Sequence, residues 1–328
     1  MRPICFLTGG SGFVGRHLAP KLAERFALRA LLRRGRTLHG LEVGSYEVVE
    51  GRLGDVDSLE RGVRGADVVV HLAALVSFRP EDREAMFATN AKATAHLAAA
   101  ARMAGVRRML HCSTISAIAY RDRPEVVDED AAFNFARLRI GYCDSKHAAE
   151  QRVLAEVARG LDAVIVNPPS MYGAGDRRKG DDSLLTAVLQ GRVGWAPPGG
   201  LHVANVLDVC DGILLALDRG RTGQRYILGG ENLTGRALLE RIADIVQGLP
   251  PRHTAPAHAV RLAAGALRLK ERLLGSKPPV TSEILQLAAR YLWFSSARAE
   301  AELGYVAKPF DDGVRAAWRE LASTGAAR

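Results

Sequence analysis

The chain has 328 residues, 48% of them hydrophobic, and its 45 Lys and Arg against 36 Asp and Glu give a formal net charge of +9. That composition can bury a large core and excludes an intrinsically disordered chain. The cations are spread along the chain without a long basic run or an aromatic-interleaved RNA motif, so no nucleic acid partner is expected; phosphorylated or acidic small ligands account for the charge more simply.

The first element is an apolar strand, Ile4-Cys5-Phe6-Leu7, running into Thr8-Gly9-Gly10-Ser11-Gly12-Phe13-Val14-Gly15 and then a helical stretch from Arg16 to Phe26. Gly9, Gly12 and Gly15 let the backbone turn tightly, approach a pyrophosphate and pack the helix against the strand, while the helix start presents N–H groups to phosphate. The spacing is G-x-x-G-x-x-G, displaced from G-x-G-x-x-G, and a tight structural turn is the competing reading; its place directly after a strand favours a dinucleotide. Leu28 to Leu32 reads as the second strand. Where an acidic residue would hold the ribose hydroxyls of NAD(H), Arg33, Arg34 and Arg36 stand instead. A guanidinium fork suits a phosphate monoester, so the expected cofactor is NADP(H), the alternative being a solvated basic turn.

Strand-like runs recur at Glu47–Glu50, Asp67–Leu72, Met109–Ser113 and Ala163–Asn167, separated by segments of helical composition. The alanine-rich stretch Asn90 to Met103 is read as a helix stopped by Gly105. This alternation predicts an α/β fold: a Rossmann-type doubly wound parallel sheet with a smaller C-terminal substrate lobe. Residues 1–170 form the nucleotide-binding domain, with 201–230 returning to it, and 171–328, denser in glycine and proline, form mainly the substrate lobe. The four cysteines, Cys5, Cys112, Cys143 and Cys210, lie in or beside apolar segments without metal-ligand spacing, which fits reduced core residues. The strand begins by Pro3, leaving no room for a signal peptide, and no apolar run could span a bilayer; a cytoplasmic protein is expected.

The chemistry is read at Tyr142-Cys143-Asp144-Ser145-Lys146. Tyr and Lys four apart share a helix face, so the ammonium can lower the phenol's pKa and reach a nicotinamide ribose hydroxyl. Tyr142 could then exchange a proton with a carbonyl oxygen as hydride moves. Tyr-x-x-x-Lys also occurs as an ordinary helix-surface pair, but here it follows Ser113-Thr114 at the end of a strand.

Taken together, these segments resemble an extended short-chain dehydrogenase/reductase, of the NAD-dependent epimerase/dehydratase superfamily, over nearly the whole chain. The resemblance rests on the glycine turn, His71-Leu72-Ala73-Ala74, Asn90 opening a helix, Ser113-Thr114, Tyr142 with Lys146, Asn167-Pro168-Pro169-Ser170-Met171-Tyr172-Gly173, Tyr226 to Asn232 and Leu303-Gly304-Tyr305. It implies Thr114 as the hydroxyl bonding the reacting oxygen, Tyr142 as acid/base, Lys146 as its electrostatic partner and Asn90 near the nicotinamide. It also implies a cofactor lined by Thr8, Gly9, Gly12, Phe13, Val14, Gly15, Arg33, Arg34, Leu53, Leu72, Ala73, Ala74, Asn167, Pro168 and Ser170, with Tyr142 and Lys146. Counting back from Ala119, where relatives often carry glycine, selects Thr114 over its rival Ser113, the other hydroxyls being read as strand-end caps. Arg52 stands where relatives place an Asp toward adenine, leaving that contact to Leu53 or backbone. His71 is read as a core residue.

Sugar-nucleotide members of the family carry an Arg before the stretch matching Asn205 to Val209; here Gly199 to Ala204 holds none, and His202 and Arg192 are weak substitutes for a diphosphate clamp. The pattern is closer to the dihydroflavonol-reductase-like and 3β-hydroxysteroid-dehydrogenase-like branch. The expected activity is NADPH-dependent interconversion of a carbonyl and a secondary alcohol on an apolar small molecule. The alternatives are an epimerase or dehydratase that retains its cofactor, and a non-catalytic NADP(H)-binding regulatory protein. The resemblance implies a homodimer through Asn90–Met103 and Tyr142–Arg159. From Ala257 to Gly275, Leu262, Ala266, Leu269 and Leu273 share one helical face while Arg261, Arg268 and Arg272 line another; this suggests peripheral membrane contact, against a helix packed on the lobe with its arginines in water.

Overall fold

The computed structural model describes residues 2–176 and 184–323. Its larger sheet has seven strands: β1 (Ile4–Thr8), β2 (Ala27–Leu32), β3 (Glu47–Glu50), β4 (Val68–His71), β5 (Arg108–Cys112), β7 (Ala163–Asn167) and β11 (Arg225–Ile227); β6 (Val126–Val127), β8 (Ser170–Tyr172) and β10 (Gly200–Asn205) belong to a smaller sheet, and β9 (Trp195–Ala196) pairs with β13 (His253–Thr254). They lie in the order β11-β7-β5-β4-β1-β2-β3, every adjacent pair parallel. The central strands are short apolar runs because both faces are covered, every residue of β4 and β7 being buried, whereas the edge strand β3 keeps only Val49 buried. Helices Phe13–Arg25 and Val206–Arg219 seal one face through Leu18, Leu22, Val209 and Ile213. Helices Val56–Val63, Ala93–Met103 and Gly141–Val157 seal the other through Leu59, Leu97 and Val153. This is the Rossmann-type doubly wound architecture.

The smaller sheet runs β12 (Glu231–Thr234), β10 (Gly200–Asn205), β14 (Tyr291–Phe294), β6 (Val126–Val127), with β8 (Ser170–Tyr172) also on β10. Segments before and after residue 170 share it, since Val126 and Val127 pair with Trp293 and Phe294. Conversely, Val206–Arg219 and β11 return to the large sheet, and Ala299, Leu303 and Tyr305 enter its core.

Two local readings change. Asn90 does not open a helix. It sits in a π-helical turn, Phe87–Lys92, between Arg83–Met86 and Ala93–Met103, so the helical run starts earlier and widens by one turn at Asn90. In the helix Ala257–Leu274 the arginines do not all face water: Arg261 and Arg268 bond back to the lobe while Leu262, Leu269 and Leu273 are exposed.

Candidate active site

In a doubly wound sheet the crevice opens where the strand order reverses, at the carboxyl ends of β1 and β4. The glycine turn sits there. Gly9 has φ +76°, and a Cβ on it would lie 2.5 Å from the Ala73 nitrogen. A Cβ on Gly15 would lie 2.4 Å from the Gly9 oxygen, so glycine is required for the turn and for the helix to leave it. Gly12 N–H donates to the Gly9 oxygen and the Gly12 oxygen accepts from Arg16 N–H, while Gly12 provides no side-chain cap for the helix start at Phe13, Val14 and Gly15. The donor set and the glycine cradle fit a dinucleotide phosphate.

Thr8, fully buried, shares a 2.6 Å hydrogen bond with His71 Nδ1 and accepts from Ala73 N–H, while Leu72 N–H donates to the Thr8 oxygen. Thr8 thus ties β1 to the chain leaving β4, and Leu72, Ala73 and Ala74 follow that tie along the crevice. His71 Nε2 pairs with Thr94 Oγ1 at 2.9 Å, and burial drives its pKa down to about 3, so it is a neutral core histidine. Arg33, Arg34 and Arg36 are exposed in the turn closing β2, and none of them makes an ion pair among the described residues. Leu53 is half-buried against the second face of the sheet beside an exposed Arg52.

Across the crevice the helix Gly141–Val157 carries Tyr142, half-buried and edge-on to Phe78 with ring centroids 5.5 Å apart. One turn on, Lys146 is 2% exposed, and its Nζ donates to the Cys112 oxygen at 2.8 Å, at the end of β5. Burial lowers its pKa, opposed by Cys112 and Glu150. Another turn on lies Glu150, buried, accepting from Asn167 Nδ2 at 2.6 Å and facing Arg225 at 3.5 Å. Burial raises its pKa, against Ser113, Arg225 and Asn167. Residues 142, 146 and 150 share a stripe; the i, i+4 continuation from Lys146 is the signal that finds Glu150 in the sequence.

Thr114, 8% exposed, accepts a hydrogen bond from Ser116 N–H at 3.3 Å, so the cap expected of its neighbours falls to Thr114 itself, and its hydroxyl proton remains for donation. Ser113 lies on the Glu150 side of the strand end. Asn167 ties Thr114 to Glu150, its Nδ2 donating to the Thr114 oxygen and to Glu150, while Pro168 O accepts from Ile115 N–H and Ser170 pairs in register with Val203. Asn90, 1% exposed, accepts from Leu75 N–H at 2.8 Å and donates to Leu75 O at 2.9 Å and to Ser145 Oγ at 3.0 Å. It fastens the chain leaving β4 to the turn bearing Tyr142; Ser145, its partner, was not singled out from the sequence.

His202 is 1% exposed, bonds Asn232 at 2.7 Å and has its pKa pushed down by burial to about 4. A neutral, buried imidazole offers no diphosphate clamp. Burial pushes the Cys5 thiol up to about 12 and that of Cys112 to about 11, so neither is a nucleophile at neutral pH. No group of His, Cys, Asp and Glu among the described residues could hold a metal.

The model of the NAD dependent epimerase/dehydratase family matches residues 5–229. A putative dihydroflavonol 4-reductase of Synechocystis is 32% identical over 306 residues, 91% of this chain and 89% of that protein. A 4-hydroxy-2-methyl-3-oxo-4-farnesyl-3,4-dihydroquinoline-1-oxide ketoreductase of Stigmatella aurantiaca is 32% identical, covering 92% of each chain. The crystal structure of gox2253 superposes with a TM-score of 0.87 at 31% identity over 99% of both chains.

Proposed function

Because the chain belongs to the NAD dependent epimerase/dehydratase family, whose members use a nicotinamide cofactor, we propose that it is an NADPH-dependent reductase interconverting a ketone and a secondary alcohol on an apolar small molecule. The observation that carries this reading is Lys146, buried beneath the crevice and held on the Cys112 oxygen one helical turn from Tyr142. The bound cofactor would supply hydride. Tyr142 donates its phenolic proton to the carbonyl oxygen, and the Lys146 ammonium favours the phenolate left behind. Thr114 donates a hydrogen bond to the oxygen as charge gathers on it. Gly9, Gly12 and Gly15, with the helix start at Phe13, hold the pyrophosphate; Leu72, Ala73, Ala74, Asn167, Pro168 and Ser170 line the bed, and Leu53 borders the adenine. Arg33 and Arg34 hold a 2′-phosphate, which supports NADPH over NADH.

An apolar substrate is favoured over a sugar nucleotide because His202, at the place of the diphosphate clamp, is neutral and enclosed. The test is NADPH consumption with a panel of apolar ketones. Stoichiometric oxidation supports the proposal, and Tyr142→Phe should remove it while leaving NADPH affinity within a few-fold. Sugar-nucleotide conversion without net NADPH change would overturn it in favour of a retained-cofactor epimerase or dehydratase. Saturable NADPH binding with no turnover of either class would point to a regulatory protein.

A further inference from the structure

The helix Ala257–Leu274 is built the wrong way out for a protein surface. Of its 18 residues only Ala264 is buried. Leu262, Leu269 and Leu273 are 78%, 58% and 70% exposed, and Leu274 is 72% exposed. At about 100° per residue, Leu262, Ala266, Leu269 and Leu273 fall within an arc of about 60° that points away from the protein.

Three of the polar side chains on the helix reach back to the lobe instead of extending freely into water. Arg261 donates to Asp122 at 2.6 Å and to the Ala289 oxygen, and Arg268 donates to the Leu138 oxygen at 2.9 Å. Glu271 accepts from the backbone N–H of Ser282 and from its hydroxyl. Charge holds the helix to the lobe, and the leucines are left outside. Lys270 and Arg272, both exposed, lie on opposite shoulders of the ridge, and Lys277 and the half-exposed Val280 follow it.

We propose that this ridge docks the protein on an anionic lipid surface, the helix lying in the interface with its leucines among the acyl chains and Lys270, Arg272 and Lys277 among the headgroups. The charge pattern selects this occupant. Cations on both shoulders match an anionic leaflet, whereas a two-fold contact between copies would set the same cations against each other. No described helix is long and apolar enough to cross a membrane, so the helix lies on the surface. Beneath its C-terminal half is a cavity of about 620 Å³, lined by Pro80, Arg83, Arg139, Arg268 and Glu283. Glu283 accepts from the N–H of Gly141, the residue before Tyr142, at 3.2 Å. Docking therefore brings that cavity, which Glu283 ties to the start of the Tyr142 helix, close to the bilayer.

The experiment is flotation of the full chain with phosphatidylcholine vesicles, with and without 30% phosphatidylserine, beside size-exclusion chromatography with light scattering. Flotation with the anionic vesicles, falling severalfold in 0.5 M salt and at least tenfold in Leu262→Ser/Leu269→Ser/Leu273→Ser, bears the proposal out. The triple variant changes only exposed side chains, and a circular dichroism melt matching the parent confirms its fold; Lys270→Glu/Arg272→Glu provides a second, purely electrostatic probe with the same expected loss. Absence of flotation, equal flotation on neutral vesicles, or flotation unchanged in both variants overturns it. A triple variant that converts a dimer to a monomer also overturns it, by assigning the ridge to a second copy. None of these outcomes depends on the reductase reading.

Discussion

Replacing Asn90 by alanine separates a residue that positions the site from one that does chemistry in it. The side chain makes three short hydrogen bonds, to both backbone groups of Leu75 and to Ser145 Oγ, from a site only 1% exposed. At about 1 kcal/mol for each net hydrogen bond, Asn90→Ala should lose about 3 kcal/mol of stability. Ser145→Ala removes one of the three and should lose about 1 kcal/mol, with a coupling of similar size in the double variant. Urea unfolding followed by tryptophan fluorescence reads these numbers. In turnover, loosening the chain after β4 from the Tyr142 helix should lower kcat on the order of tenfold to a hundredfold while the pH profile stays that of Tyr142. An Asn90→Ala protein as stable as its parent would refute the reasoning, and loss of all turnover with stability intact would move the amide into the chemistry.

Three further outcomes follow from the same geometry. Arg33→Ser/Arg34→Ser should weaken NADPH at least tenfold and leave NADH within a few-fold, measured by fluorescence titration; an unchanged preference would place the 2′-phosphate elsewhere. Gly9→Ala, which combines φ +76° with a Cβ 2.5 Å from the Ala73 nitrogen, should abolish cofactor binding and lower stability by about 2 kcal/mol or more, and wild-type affinity would contradict the close approach. His71 is neutral in the fold down to about pH 3, whereas in the unfolded chain it protonates near its ordinary value of about 6.5. Acid therefore favours unfolding through this group, and the stability gap between the parent and His71→Leu should narrow by about 2 kcal/mol between pH 6.5 and 4.5. A gap that stays constant with pH would show that His71 is not held neutral.

The parts legible in the sequence were those set by local rules. Ala163–Asn167 was marked by an apolar run, Glu47–Glu50 by a β-branched Val-Val pair just before Gly51, and the turn at Gly9 by glycines whose backbone contacts leave no room for a Cβ. Long-range pairing was not legible. Nothing near Val126 announces that it lies beside Trp293, because strand partners so far apart leave no mark on either segment. The period of Ala257–Leu274 showed two faces, but which face meets the lobe depends on Asp122, Leu138 and Ala289, residues remote in sequence. The sequence read Asn90 as opening a helix and not as part of a π-turn, since alanine-rich flanks suit either helix.

The return of Val206–Arg219 and Arg225–Ile227 to the large sheet has a consequence for how the molecule is made. On the ribosome, the nucleotide-binding half cannot close its seventh strand until residue 227 has emerged, and the side chains of Ala299, Leu303 and Tyr305 arrive later still. A nascent chain halted near residue 170 would expose the apolar edge of Ala163–Asn167, fully buried in the finished protein. Cutting the gene at the apparent lobe boundary would therefore leave the first fragment with an open sheet edge and an incomplete core.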